Sequence, residues 1–453
     1  MKKPAALVFA LVLLLTALSG CGSHPYGLDA NNPVTITMWH NFGGQMKDTM
    51  DALITEFNNT VGREFGIVIN VTSIQASKDQ NEKLSMIARG DPGAPEMPDI
   101  ATAYPSLALT LFEAGLLASL DDYFSEQELS GYIQPFVEEG RLPDGKLYVF
   151  PISKSTEALF VNKTLFDRFS NATGVTIESL STFEGIATAA QKYYEWTNAQ
   201  TPDIPDDGKT FFTADSWFNM AQVGMAQLGG AFVDEDGLNT GTPDFKRVWD
   251  FSVPPALKGA YAVVDGYSSD LSRTGEIICS IGSTAGILFY GDTITYPDNT
   301  KESVEYAVLP YPVFSGGKKI ALQRGAGMIV AKSTPQKEYA AALFLKWFTS
   351  PEQNMRFVSS TGYLPVTTEA YEHFMTEEIN AVDNPSVKRL LETAMLMRGE
   401  YDFIVAPQTE SFSALTTTYE KGIRQAMRDG RQQVQSGADA ESVSESLLLT
   451  FLR

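Results

Sequence analysis

The chain has 453 residues, enough for two large or three ordinary domains, and its 43% hydrophobic and 11% aromatic content can fill substantial cores. A formal net charge of −21 excludes general affinity for nucleic acid, which needs clustered lysine and arginine against phosphate. Two cysteines and three histidines leave little from which to assemble a disulfide framework, a Ser-His-Asp set or a histidine-rich metal centre.

Residues 1–20 read as an export signal. Lys2 and Lys3 precede an apolar run from Ala5 to Ala17 that is too short to remain as a membrane span. The following Leu18-Ser19-Gly20-Cys21 resembles the lipobox of bacterial lipoproteins, and the resemblance implies a lipid on Cys21 and a mature N-terminus there. Residues 21–33 are short and polar and are expected to be an unstructured tether. Cys279 lies in an apolar, strand-like run over 277–281, which predicts a buried small hydrophobe rather than a nucleophile.

Val34, Ile36 and Met38 alternate with threonines and predict a first strand, ending at Trp39-His40-Asn41-Phe42-Gly43-Gly44. Met46, Met50, Leu53, Ile54 and Phe57 then recur at helical spacing. A strand over 67–71 completes a βαβ unit, whose parallel pair puts the Trp39 turn at a carboxyl end of the sheet, where open α/β sheets bind ligands. A helix over 83–90 leads to a third strand ending at Ala103-Tyr104, on the same side of the sheet.

Further along, an Asp144-Gly145 turn feeds a β-prone run that Pro151 stops. Ser153, Lys154, Ser155 and Thr156 follow, and Leu159-Phe160-Val161 resumes a strand before Lys163 opens a helix. Such a break is either an ordinary loop or a set of donors offered to a ligand at a sheet edge. Thr182 reads as a helix cap, and Asp215-Ser216-Trp217-Phe218 opens a helix running to Gly229. Asp234-Glu235-Asp236-Gly237 lacks the spacing of a calcium loop and reads as a hairpin turn. In Gly282-Ser283-Thr284-Ala285-Gly286 the serine directly follows the glycine, so this is not a nucleophile elbow. Thr334 and Pro335 cap a helix in which Tyr339, Leu343 and Trp347 share a face, and the tail from 384 is helical in pattern.

Several of these segments, in their order, resemble the family 1 extracellular solute-binding proteins, the receptors of bacterial sugar importers. They are Trp39-His40-x-Phe42-x-Gly44, Gly145-Lys146-x-Tyr148-x-x-Pro151, Thr156-Glu157-x-Leu159, Asn162-Lys163, Pro310-Tyr311-Pro312 and Thr361-Gly362-Tyr363-Leu364-Pro365-Val366. The Trp-His segment is nearest the glycerol-3-phosphate-binding branch, although Pro105 stands where that branch has an acidic residue. The resemblance implies an α/β, two-lobed periplasmic-binding-protein type II fold with three inter-lobe crossovers. It places lobe 1 at 34–153 plus 311–349 and lobe 2 at 154–310 plus 350–453.

It further implies ligand-binding positions at Trp39, His40, Tyr104, Lys154, Ser155, Thr156, Trp217, Ser283, Thr284, Arg324, Gly325, Tyr363 and Arg398. The implied function is a monomeric receptor for a sugar or polyol, closing by hinge motion and delivering its load to an ABC permease, with no catalytic residue, metal or cofactor. Should Lys154 and Arg324 both reach the cleft, glycerol-3-phosphate or a glycerophosphodiester becomes attractive. A secreted glycosidase, needing two carboxylates among 55 acidic residues, and a sensory or adhesive lipoprotein on the same fold stay open.

Overall fold

A computed structural model of the protein describes residues 24–452 apart from 75, 76, 408 and 410. The expected export signal and Cys21 lie outside the described residues. In chain order the strands are β1 (Val34–His40), β2 (Ile67–Ser73), β3 (Ile100–Ala103), β4 (Glu157–Asn162), β5 (Phe212–Ala214), β6 (Val233–Asp234), β7 (Gly237–Leu238), β8 (Cys279–Ser283), β9 (Thr293–Thr295), β10 (Lys301–Ser303), β11 (Tyr306–Leu309), β12 (Ile320–Leu322), β13 (Gly327–Val330) and β14 (Asp402–Ile404).

Two four-stranded sheets organise the chain. The first has the order β13-β3-β1-β2, with β1 parallel to both β2 and β3 and β13 antiparallel at the edge. Ile36 and Met38 of β1 turn inward while its threonines face out, and the helix Gly44–Asn59 buries Met46, Met50, Leu53, Ile54 and Phe57. The predicted βαβ opening is therefore present, because both elements follow from local periodicity.

The second sheet has the order β11-β4-β8-β5. All six residues of β4 are buried, which explains why this strand reads as a nearly continuous apolar run rather than an alternation. Cys279 is buried in β8, and β6 with β7 forms the hairpin expected at 234–237. One core runs from the first sheet past the helices Pro351–Thr361 and Pro385–Glu400 onto Phe160, Tyr306 and Val308 of the second sheet, and another, holding Leu159 and Val161, fills the opposite face of that sheet. Among the described residues no helix is long and apolar enough to cross a membrane.

Three expectations are corrected. The stretch 24–33 is not a loose tether: Val34 N–H donates to the Gly66 carbonyl at 2.9 Å, Leu28 is buried, and His24 lies 4.4 Å from the Phe65 ring. Gly66, at φ +71°, is required because any Cβ there would run into the Asp29 carbonyl. Residues 311–322 do not return to the first lobe at 311, since Tyr311, Phe314, Ala321 and Leu322 fill the second core and the chain rejoins the first sheet only at β13. The helix Pro351–Thr361, assigned to lobe 2 above, packs on the helix Gly44–Asn59 of the first lobe, with Arg356 paired to Glu56 at 2.7 Å.

Candidate functional site

Three passages between the lobes meet side by side in a short ribbon. Phe150 and Met328 exchange two backbone hydrogen bonds of 2.8 Å, Ser155 and Arg324 exchange bonds of 2.9 and 2.8 Å, and Lys154 and Leu364 exchange bonds of 3.1 and 2.6 Å. Residues 154 and 155 thus sit between the other two passages, and Thr284 N–H, donating to the Thr156 carbonyl at 2.9 Å, fastens the ribbon to β8. Gly325 fits because a Cβ there would press on the Ser153 carbonyl at 2.9 Å.

Extended backbone sends successive side chains to opposite faces. Lys154 takes one face: its ammonium donates to the Glu139 carboxylate at 2.7 Å and to the Gly325 carbonyl at 3.1 Å, and its side chain is 3% exposed. Gln323 donates to the same carboxylate. Lys154, expected as a ligand contact, is instead a buried strut inside the ribbon.

The other face carries Arg324. Its Nη1 donates to Glu157 Oε1 at 2.9 Å, and the same oxygen accepts from Asn219 Nδ2 at 2.8 Å. Glu157 is buried and its Oε2 has no hydrogen-bond partner, whereas the Arg324 side chain remains 30% exposed. Burial pushes the Glu157 carboxyl above its ordinary value, Arg324 and Asn219 oppose this, and Asp215 adds to the rise. Burial works against the Arg324 guanidinium, but Glu157, then Tyr104, Asp215 and Tyr363, favour its charge and hold its pKa above the usual arginine value.

Arg324 is thus paired with Glu157, while Tyr104, Asp215 and Tyr363 act on its charge from farther off. Tyr104 is 39% exposed at the start of the helix Pro105–Glu113, at the carboxyl end of β3, and Tyr363 is half-buried, stacked on Phe357 at 6.1 Å. Asp215 leaves the carboxyl end of β5 just before Ser216, which caps the helix Trp217–Leu228. The Asp215 carboxylate accepts from Ser268 N–H at 2.8 Å, and burial raises its pKa against that bond. Asp215 also lines a depression of about 870 Å³ with Tyr267, Thr416, Glu420 and Arg424. This depression adjoins the Arg324 group through Asp215 alone.

The remaining expected positions divide. Ser283 is half-buried and its hydroxyl donates to Ser155 Oγ at 3.4 Å, near Arg324 on the same ribbon. Trp39 is half-buried against first-lobe residues. Thr156 and Thr284 are committed to holding the ribbon, Thr156 Oγ1 donating to the Leu322 carbonyl at 2.9 Å and Thr284 Oγ1 accepting from Thr156 N–H at 3.3 Å.

His40 is fully buried; its Nδ1 accepts from Phe42 N–H at 3.3 Å, and burial, with Asp51 opposing, lowers its pKa to about 4. It is a neutral structural histidine, not a ligand contact. Trp217 is 1% exposed, packed with Phe212 and Tyr261 in the second core, so the aromatic expected in the cleft is a core residue. Arg398 is exposed and stands over the Tyr371 ring at 5.9 Å.

Glu157, Asp215 and Asn219 are residues around Arg324 that the sequence did not single out. Glu157 sits inside the Thr156-Glu157-x-Leu159 segment and Asp215 at a strand-to-helix junction; an acidic residue at the mouth of a buried strand was the available signal. Among the described residues no group of three or more histidine, cysteine, aspartate or glutamate side chains is placed to hold a metal ion.

A family model described as a bacterial extracellular solute-binding protein matches residues 52–386. The sequence is 24% identical over 354 residues to the sn-glycerol-3-phosphate-binding periplasmic protein UgpB of Agrobacterium fabrum, spanning 74% of this chain and 75% of that relative. It is 23% identical over 367 residues to UgpB of Salmonella typhimurium, spanning 75% of each. Among solved structures, the cyclic alpha-maltosyl-1,6-maltose binding protein from Arthrobacter globiformis superposes with a TM-score of 0.68 at 20% identity, over 92% of this chain and 99% of that one. UgpB from Mycobacterium tuberculosis in complex with glycerophosphocholine superposes with a TM-score of 0.66 at 18% identity, over 93% and 99%. Both are similar to this chain in fold.

Proposed function

This chain belongs to the bacterial extracellular solute-binding proteins, and on that premise we propose that it receives an uncharged, hydroxyl-rich solute, a sugar or polyol, between its lobes and delivers it to an ABC permease. The observation that carries the ligand class is the charge balance around Arg324. The Arg324 guanidinium is paired with buried Glu157, and Asp215 adds to the negative field acting on it, while Lys154 is spent on Glu139. A phosphate arriving there would meet a net negative centre and would have to draw Arg324 away from a buried glutamate, leaving that charge unpaired at a cost of several kcal/mol. A sugar makes no such demand: its hydroxyls donate to Asp215, accept from Arg324, and its apolar face lies on Tyr104 or Tyr363.

A glycerophosphate ester is the second reading. The exposed part of Arg324 favours it, as do the names of the UgpB relatives. Titration calorimetry on the soluble chain, with maltose, ribitol, glycerol-3-phosphate and glycerophosphocholine, separates the two. The first reading expects heat with a neutral compound and none with glycerol-3-phosphate. Asp215→Asn is then expected to weaken the neutral ligand roughly tenfold, about 1.4 kcal/mol. Tight glycerol-3-phosphate binding in the parent protein overturns the neutral-ligand reading.

Glu157 is sealed beneath Arg324 and out of a substrate's reach, so it holds Arg324 in place rather than touching a ligand or moving a proton to one. Bound sugar recovered unchanged is the expected result. We also assign Cys21 as the lipidated N-terminus, on the Leu18-Ser19-Gly20-Cys21 pattern behind an export signal. A diacylglyceride mass increment, lost in Cys21→Ala, is the measurement that bears on it.

A further inference from the structure

The chain does not become free where the lipid-bearing residue would end and the first lobe begin. From His24 onward it is laid down on lobe 1: His24 tilts against the Phe65 ring, Gln336 Nε2 donates to the Gly27 carbonyl at 2.7 Å, and Leu28 is buried. Tyr26 is held at φ +59°, a left-handed conformation that costs a side-chain-bearing residue free energy and persists only when its surroundings enforce it. What enforces it is a three-tyrosine cluster. The Tyr26 ring stacks on Tyr339 at 4.5 Å and lies 5.7 Å from Tyr123, whose hydroxyl donates to Glu338 at 2.6 Å. Tyr26 nevertheless stays 48% exposed.

Three chain steps separate Cys21 from His24, a reach of at most about 10–11 Å. Resting on the reading that Cys21 carries the lipid, we propose that lobe 1 is clamped against the bilayer, with the Tyr26–Tyr123–Tyr339 cluster as its contact with the lipid headgroups, while lobe 2 swings free. Tyrosine suits that place, since its ring is apolar and its hydroxyl wet, and such residues collect at headgroup level. Two acyl chains make the attachment stable, so the tyrosines set orientation rather than affinity. Closure then moves lobe 2 relative to a first lobe fixed over the membrane, and every receptor presents its cleft to a permease at one height and angle.

The test uses full-length protein expressed with its own leader, purified from the membrane fraction and placed in phosphatidylcholine–phosphatidylglycerol vesicles carrying a headgroup quencher. Exposed Arg63, beside Phe65 on lobe 1, and exposed Lys192, on the helix Phe183–Asn198 of lobe 2, are each replaced by cysteine and labelled with a fluorophore; Cys279 is buried and is spared. The label in Arg63→Cys is expected to be quenched several-fold more than that in Lys192→Cys. A long Gly-Ser spacer between Ser23 and His24 should reduce the contrast, and Tyr26→Ser added to the spacer should abolish it. Equal quenching at both positions in a firmly bound chain overturns the orientation alone. A chain that fails to bind vesicles, or binds equally after Cys21→Ala, overturns the anchoring reading and the orientation with it.

Discussion

Lys154 and Arg324 stand on neighbouring strands of one crossover ribbon, both cations and both opposite a buried glutamate, yet the two faces they occupy differ. On the Lys154 face the ammonium, Glu139 and Gln323 form a closed polar network sealed from water. On the Arg324 face the guanidinium covers Glu157 but keeps an open side, its side chain 30% exposed. A buried pair with no open side holds a hinge together and selects its geometry; a pair with one open side can exchange part of its interaction for a ligand. Charge type alone does not distinguish a strut from a binding residue; the strand parity does.

The sharpest way to break that comparison is at the closed face. Lys154→Met leaves the Glu139 carboxylate buried without its cation, and a loss of about 3–5 kcal/mol is expected in chemical denaturation, with ligand affinity of the folded protein unchanged. Lost affinity at full stability would move Lys154 into the cleft. Trp217→Ala tests core against cleft in the second lobe. With the ring wedged between Phe212 and Tyr261, its removal should cost about 3–5 kcal/mol of stability, contrary to a ligand-stacking role, in which affinity alone would fall.

A smaller effect lies in the pH dependence of the first lobe. Burial lowers the folded pKa of His40 to about 4, from the ordinary imidazole value of about 6.5. The unfolded chain therefore takes up its proton first, so the stabilising contribution is fully present above about pH 6.5 and is lost as the pH falls toward 4, by up to about 3 kcal/mol. Stability curves of the parent and His40→Asn should converge in slope above pH 6.5 and diverge below it. Parallel curves would mean that His40 is not buried as a neutral ring.

Local pattern made several elements legible in advance. The alternation of Val34, Ile36 and Met38, the helical spacing from Met46 to Phe57, the Thr182 and Thr334 caps and the 234–237 hairpin each depend on neighbours only a few residues away. The family resemblance supplied the two-lobed fold and the crossover idea, and Ser283 and Arg324 both meet Ser155 on the ribbon. An aromatic at a helix start looks the same in sequence whether it faces a core or a cleft, and only the packing of Trp217 against Phe212 and Tyr261 separates the two.

What the amino-acid sequence determined by itself is thus the identity of the strands and helices and the broad kind of molecule they build, because periodicity, caps and turn residues act over short range. The tertiary structure alone decided which charge is spent and which is open. Lys154 meets Glu139 and Arg324 meets Glu157 only after three distant passages are laid side by side, and the laying down of residues 24–29 on Phe65, Gln336 and Tyr339 likewise exists only in the folded chain. Burial and pairing are properties of that assembled geometry, and they set the charge balance on which the choice of ligand rests.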